Sequence, residues 1–257
     1  KIINLKMKKF QNRSFLNYIL IYILGGVATL SLPPFSILPL IFGLGFGIYL
    51  ISLTPSLIKT FFAAWVLGFG WFSIGLYWIG SAFIVADTYT IYLMPIAIVL
   101  LPSLLAVFWG VACVLAKLFC KDKKFSVISI IVCLSFFEYL RAILFTGFPW
   151  LMPSMIFSSN EYLIQIFSFI GSFSTNLVVL TLSIVPFILL SNLKGKYILS
   201  TLLLIPILIL IFFGTFRFYN KNSLKFNNQL ITIVQPNIEQ KNKWKLKQRD
   251  KHLNKLV

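Results

Sequence analysis

An all-α polytopic membrane bundle of about seven transmembrane helices, followed by the first strand and helix of a soluble α/β domain, is the fold class the sequence predicts. Three observations predict it. The 257 residues are 59% apolar and only 11% charged, with a mean hydropathy of +0.91, well outside the range of a soluble domain. The apolar residues fall into runs, most of them near the ~20 residues a helix needs to cross a hydrocarbon core of about 30 Å. Past residue 225 the pattern changes to a β-branched run and then a cation-rich segment.

The runs lie near Phe15 to Leu32, Ile37 to Leu53, Thr60 to Val85, Thr90 to Phe119, Phe125 to Phe145, Tyr162 to Leu193 and Tyr197 to Phe218. Residues 1–14 read as a basic leader and residues 15–218 as a transmembrane domain. The first run is not a cleaved signal peptide, because no small-residue cleavage site follows it and another span comes at once. Pro95, Pro102, Pro186 and Pro206 are expected inside long spans, kinking them and leaving neighbours to satisfy the freed carbonyls. No internal repeat is visible, so an inverted-repeat transporter gains no support.

The net charge of +17 raises nucleic acid as a partner, but the cations sit in short patches between spans, which is a topology signal. Lys1, Lys6, Lys8, Lys9 and Arg13 precede the first run; Lys59 follows the second; Lys117, Lys121, Lys123 and Lys124 bracket the fourth and fifth; Lys194 and Lys196 separate the last two. All these positions fall on one side. The opposite loops, around Pro33-Pro34, Asp87 and Met152 to Asn160, carry neither Lys nor Arg. The N-terminus is therefore expected in the cytoplasm and the segment after Phe218 outside. Arg217, Lys221 and Lys225 flank the exported end against the trend, although long exported segments cross largely regardless of charge.

The polar residues inside this frame are few. Glu138 and Arg141 stand three apart on one face of the fifth run, and each costs about 2.5 to 3.5 kcal/mol at mid-bilayer if unpaired. Two readings are open: a structural intramembrane pair or one facing a wet cavity, and an arginine snorkelling to the interface beside its glutamate. The stretch Gly147-Phe148-Pro149-Trp150 caps the same run at the outer end. Its plain reading is an interfacial turn, in which Gly frees the backbone, Pro stops the helix and the rings join an aromatic belt. Cys113, Cys120 and Cys133 have no metal-ligand spacing and read as small buried hydrophobes. His252 is the only histidine and lies in the tail, which excludes intramembrane His-dependent chemistry. No motif calls for a cofactor.

In the tail, "QLITIVQPNI" reads as a buried strand ended by Pro236-Asn237. The following stretch, with Trp244, Leu246, Leu253 and Leu256 among many cations, has the outline of an amphipathic helix. Alone it would lie on a membrane surface; together the two read as the opening of an α/β domain.

Three stretches resemble the apolipoprotein N-acyltransferases, polytopic enzymes of the bacterial inner membrane with a periplasmic nitrilase-like domain. "FFEYLRAILFTGFPWL", Phe136 to Leu151, looks like the family's E-x-L-R…T-G-F-P-W-L signature. "IVQPNIEQKNKW", Ile233 to Trp244, is similar to its opening strand V-Q-G-N-I-x-Q…K-W, and "LSLPPFSILPL" resembles its first hairpin. The chain departs at Pro236, where the family usually has Gly, and at Glu239, often Pro there.

The resemblance implies a two-step acyl transfer. A periplasmic Glu-Lys-Cys triad takes an acyl chain from a phospholipid donor as a thioester, then passes it to the N-terminal amine of a diacylated lipoprotein acceptor. Gly147, Phe148, Pro149 and Trp150 would then lie below the catalytic chamber, and Trp244 would match a tryptophan near its entrance; an aromatic merely packed on the membrane domain is the alternative for Trp244. Residues 226–257 would begin the nitrilase-like domain. The chain opens without Met and stops in mid-pattern at Val257, so truncation early in that domain is expected, with the triad absent and no activity alone. A non-catalytic membrane module or transporter-like bundle is the second reading.

Overall fold

The computed structural model describes residues 14–86, 90–120, 123–144, 147–220, 232–239, 243 and 246–255. Among them the regular structure is helical throughout. Helix α1 (Ser14–Ala28) continues through a 3-10 turn, Thr29–Ser31. A second 3-10 turn, Leu38–Leu40, opens with Pro39 in its first positions and leads into α2 (Ile41–Ser52). Then come α3 (Leu57–Gly75), the short α4 (Gly80–Ala86), α5 (Met94–Phe119), α6 (Lys123–Ile143), α7 (Phe167–Leu190) and α8 (Lys196–Tyr219). A five-residue helix, α9 (Arg249–Leu253), lies in the tail.

Among the described residues, five stretches are long and apolar enough to cross a membrane: Leu57–Gly75, Ile91–Phe119, Ser126–Ile143, Leu163–Leu190 and Lys196–Tyr219. Five of the seven expected spans reach this length. The first two runs form shorter apolar helices, Phe15–Ser31 and Leu38–Ser52, because prolines at 33, 34 and 39 punctuate the sequence between them. The chain is a multi-pass membrane protein.

Packing closes six helices into a ring: α1 on α3, α3 on α5, α5 on α6, α6 on α7, α7 on α2, and α2 back on α1. Helix α8 lies outside it, against α7 and the 3-10 turn Leu163–Ile166. Its outer face turns Ile198, Leu202, Leu208 and Phe212 outward, each more than half exposed, as lipid tails allow and water does not. Backbones approach where side chains are missing. A Cβ on Gly25 of α1 would stand 2.1 Å from the Leu67 carbonyl oxygen of α3, and one on Gly70 of α3 would stand 2.2 Å from the Tyr22 carbonyl oxygen of α1. Reciprocal glycines thus set this crossing.

Several expectations are revised. The run from Thr60 to Val85 is not one helix: α3 ends at Gly75, the Leu76 N–H caps the Phe72 carbonyl, and the chain passes through Tyr77–Ile79 into α4. A Cβ on Gly75 would lie 2.4 Å from Leu151 Cδ1, so the break makes room for a loop arriving from the far end of α6. Pro95 opens α5 in its first turn instead of interrupting it, where a missing N–H costs nothing. Pro102, Pro186 and Pro206 do lie inside α5, α7 and α8, and α7 also breaks at Gly171, with φ 74° and ψ 168°.

The expected strand does not form in its described part, residues 232–239, where Ile233 is 90% exposed. A lone strand has no ladder to complete. Of the helix expected beyond it, the described residues hold the 3-10 turn Leu246–Gln248 and α9, with Leu246 exposed; Trp244 and Leu256 lie outside the described residues. Of the three cysteines, Cys113 is buried while Cys120 and Cys133 are only partly so.

Candidate functional site

The site starts from the two charges in α6. A spacing of three places Glu138 and Arg141 on one face, and the structure buries both to 1% exposure with Arg141 Nη2 2.6 Å from Glu138 Oε2. Arg141 Nε donates to Glu138 Oε1 at 3.2 Å. Trp109 of α5 donates its indole N–H to the same oxygen at 2.8 Å. The Trp109 ring in turn meets Trp71 and Phe72 of α3, at centroid distances of 6.1 and 5.4 Å, and the Arg141 guanidinium lies 5.0 Å above the Phe72 ring. A charged pair in an apolar medium persists only when its remaining hydrogen-bonding capacity is met. The pair is buried inside the bundle.

Arg141 has one more partner. Its Nη1 donates to the carbonyl of Phe148, seven residues on, and the Phe148 N–H returns to the Arg141 carbonyl at 3.1 Å. Gly147 enables this reversal with φ 80°, and a Cβ there would sit 2.1 Å from the Ala142 carbonyl oxygen. At the other end of the stretch, Leu151 has φ 58°, and its carbonyl accepts the Trp71 indole N–H at 2.9 Å. Beyond it, the Ser154 N–H donates to Asn176 Oδ1 of α7 at 2.8 Å. Residues 147–151 therefore form a strap across the end of the bundle, with donors from α6 and α3 on two of its carbonyls.

The strap carries Trp150 to the surface. Its ring is 48% exposed, stacks on Trp78 with centroids 4.7 Å apart and tilts against Phe148 at 5.2 Å. Pro149 lies between the two aromatic residues and has no N–H to satisfy. This end presents shape, aromatic surface and fixed backbone. Two charged side chains of α6, Glu138 and Arg141, are sealed beneath it.

Of the residues singled out from sequence, Gly147, Phe148, Pro149 and Trp150 come together with Glu138 and Arg141, whereas Trp244 lies outside the described residues. Sequence reasoning missed Trp71, Phe72, Trp78 and Trp109. One signal was available for Trp71 and Trp109: a tryptophan inside an apolar run must find an acceptor for its N–H.

Residues 24–185 match the family model of the apolipoprotein N-acyltransferase N-terminal domain. The chain is similar to the apolipoprotein N-acyltransferase of Rhodopseudomonas palustris, 30% identical over 226 residues, which cover 84% of this chain and 42% of that one. Against the Rickettsia typhi protein of the same name it is 29% identical over 232 residues, 88% of this chain and 45% of that one. With the Rhizobium leguminosarum protein of that name it shares 35% identity over 137 residues, 49% of this chain and 26% of that one. The chain spans less than half the length of these curated relatives.

Proposed function

Since this chain belongs to the apolipoprotein N-acyltransferase family, we propose that it serves the transfer of an acyl chain from a phospholipid to the N-terminal amine of a diacylglyceryl-cysteine lipoprotein. A cysteine thiolate attacks the phospholipid ester carbonyl, a thioester forms and a lysophospholipid leaves. The amine then attacks the thioester, forming the amide and releasing the thiol. These residues contribute the membrane part. The observation that supports the reading is the strap at the end of the bundle, which presents Phe148 and the stacked Trp150–Trp78 pair; in this reading the two lipid substrates approach there from the bilayer.

In this reading the bundle has seven spans, with the two shorter apolar helices as the first and second. At 1.5 Å per α residue and 2.0 Å per 3-10 residue they measure roughly 24 to 28 Å, close to the ~30 Å core. The N-terminus lies in the cytoplasm, the membrane is the bacterial inner membrane, and residues 226–257 begin a periplasmic nitrilase-like domain whose first strand pairs once a sheet is there to receive it. Trp244 stands near the entrance of that domain's active site.

In this reading the thioester thiol is periplasmic, whereas Cys113 and Cys133 lie within spans and Cys120 at the cytoplasmic end of one, so these 257 residues by themselves are expected to form no product. The test has two arms. Purified chain, given phospholipid and a diacylated lipopeptide, yields neither triacylated lipopeptide nor a protein-bound thioester above a Cys-free variant. In an intact relative, replacing the tryptophan of the T-G-F-P-W stretch by alanine lowers acyl transfer while the amount of inserted protein stays level. Product from the chain alone, or parallel loss of activity and insertion in the relative, would reject the reading.

A further inference from the structure

The buried pair makes more contacts than a pair needs. Two opposite charges sealed in an apolar interior gain little stability over two well-packed apolar side chains, so stability alone does not account for Glu138 and Arg141. What a leucine pair cannot supply is a donor at a fixed point. Arg141 places Nη1 on the carbonyl of Phe148, and its own orientation is set by two bonds to Glu138, which Trp109 braces from α5. The second donor, the Trp71 indole N–H, meets the carbonyl of Leu151. Between these two points the strap has positive φ at both ends, Gly147 and Leu151. For Leu151 this is a conformation that an untethered residue with a side chain rarely holds.

We propose that Arg141, braced by Glu138 and Trp109, and Trp71 are positioning residues that fasten the strap at its two ends and so hold Trp150 in its stack on Trp78. The importance of Trp150 rests on the acyl-transfer reading; the fastening does not. The arrangement also brings Trp78 into the site as the surface against which Trp150 is held.

The chain is labelled with fluorotryptophan in lipid nanodiscs, and the resonance of each of the six tryptophans is assigned by a single Trp→Phe change. Arg141→Lys keeps a cation for Glu138 but not the planar fork that reaches two partners at once. The Trp150 and Trp78 resonances then shift together, while that of Trp65, whose indole is bonded to the Ser103 carbonyl, stays in place. Unmoved Trp150 and Trp78 resonances in the inserted variant overturn the proposal. If Arg141→Lys does not insert, Trp71→Phe, which deletes the other donor and keeps a ring, decides by the same readout. A parallel assay on an intact relative separates the two ideas. The Arg→Lys change in its E-x-L-R stretch lowers acyl transfer ~10- to 100-fold, as a misplacement near 1 Å does. Resonances that move while transfer is unchanged uphold the fastening and remove Trp150 from the reaction.

Discussion

A guanidinium in a membrane helix is tolerable only while its donors find acceptors, and Arg141 finds them in Glu138 and Phe148. Removing one partner strands the other. Arg141→Ala leaves the Glu138 carboxylate with only the Trp109 N–H, and breaking a buried pair in this way costs about 3 to 5 kcal/mol. Replacing both residues by leucine removes both charges and leaves the Trp109 N–H and the Phe148 carbonyl without these partners, each worth about 1 to 3 kcal/mol. The double variant is therefore expected to be no less stable than Arg141→Ala, as measured by thermal unfolding in detergent. A double variant less stable than either single one would mean that the two charges are not each other's partner. The i, i+3 spacing made this contact legible in the sequence. The Trp109 and Trp71 contacts were not, because they join positions 29 and 80 residues apart, and no local pattern encodes which acceptor a buried indole will meet.

At the scale of elements, apolar run length located the long helices but not their internal breaks. The run from Thr60 to Val85 is unbroken in hydropathy, and its division after Gly75 depends on Leu151 filling the place of a missing side chain. Small residues carry this kind of information, and their effects should be graded by what they face. A Cβ on Gly70 would meet the backbone of Tyr22 at 2.2 Å, whereas one on Gly68 would meet Trp109 and Ala106 at 3.2 to 3.3 Å. Gly70→Ala must part α1 from α3 and is expected to cost about 1 to 3 kcal/mol through overpacking. Gly68→Ala asks its neighbours to give only a few tenths of an ångström, so its cost is smaller. Unfolding midpoints of the two variants in the same detergent compare them directly; equal loss would show that the crossing of α1 and α3 is not set by backbone contact. The tail marks the opposite limit. Its strand pattern is clear in sequence, but residues 232–239 have no regular structure, because a strand is a property of a pair.

For the whole molecule, five and seven spans differ by an even number, so both put the loop at Asn160 and the loop at Lys196 on the same opposite sides. Reporters after Lys124, Asn160, Lys196 and Asn228 therefore test orientation but do not separate the two counts. The first loop does. If α1 and α2 cross, Phe35 is outside; if neither crosses, it lies in the cytoplasm with Lys59. Packing favours crossing. Helix α1 meets α3 through two close backbone contacts, Gly25 on Leu67 and Gly70 on Tyr22, and α2 joins α7 where a Cβ on Gly45 would stand 1.9 Å from the Ser183 carbonyl oxygen. Both short helices thus belong to a ring whose other members are long enough to span, and a helix lying flat at the interface would not share that ring. A reporter fused after Phe35 is expected to be active only outside, with reporters after Lys124 and Lys196 active only inside. Cytoplasmic activity at Phe35, with Asn160 still outside, would leave five spans and place α1 and α2 within the bundle without crossing the membrane.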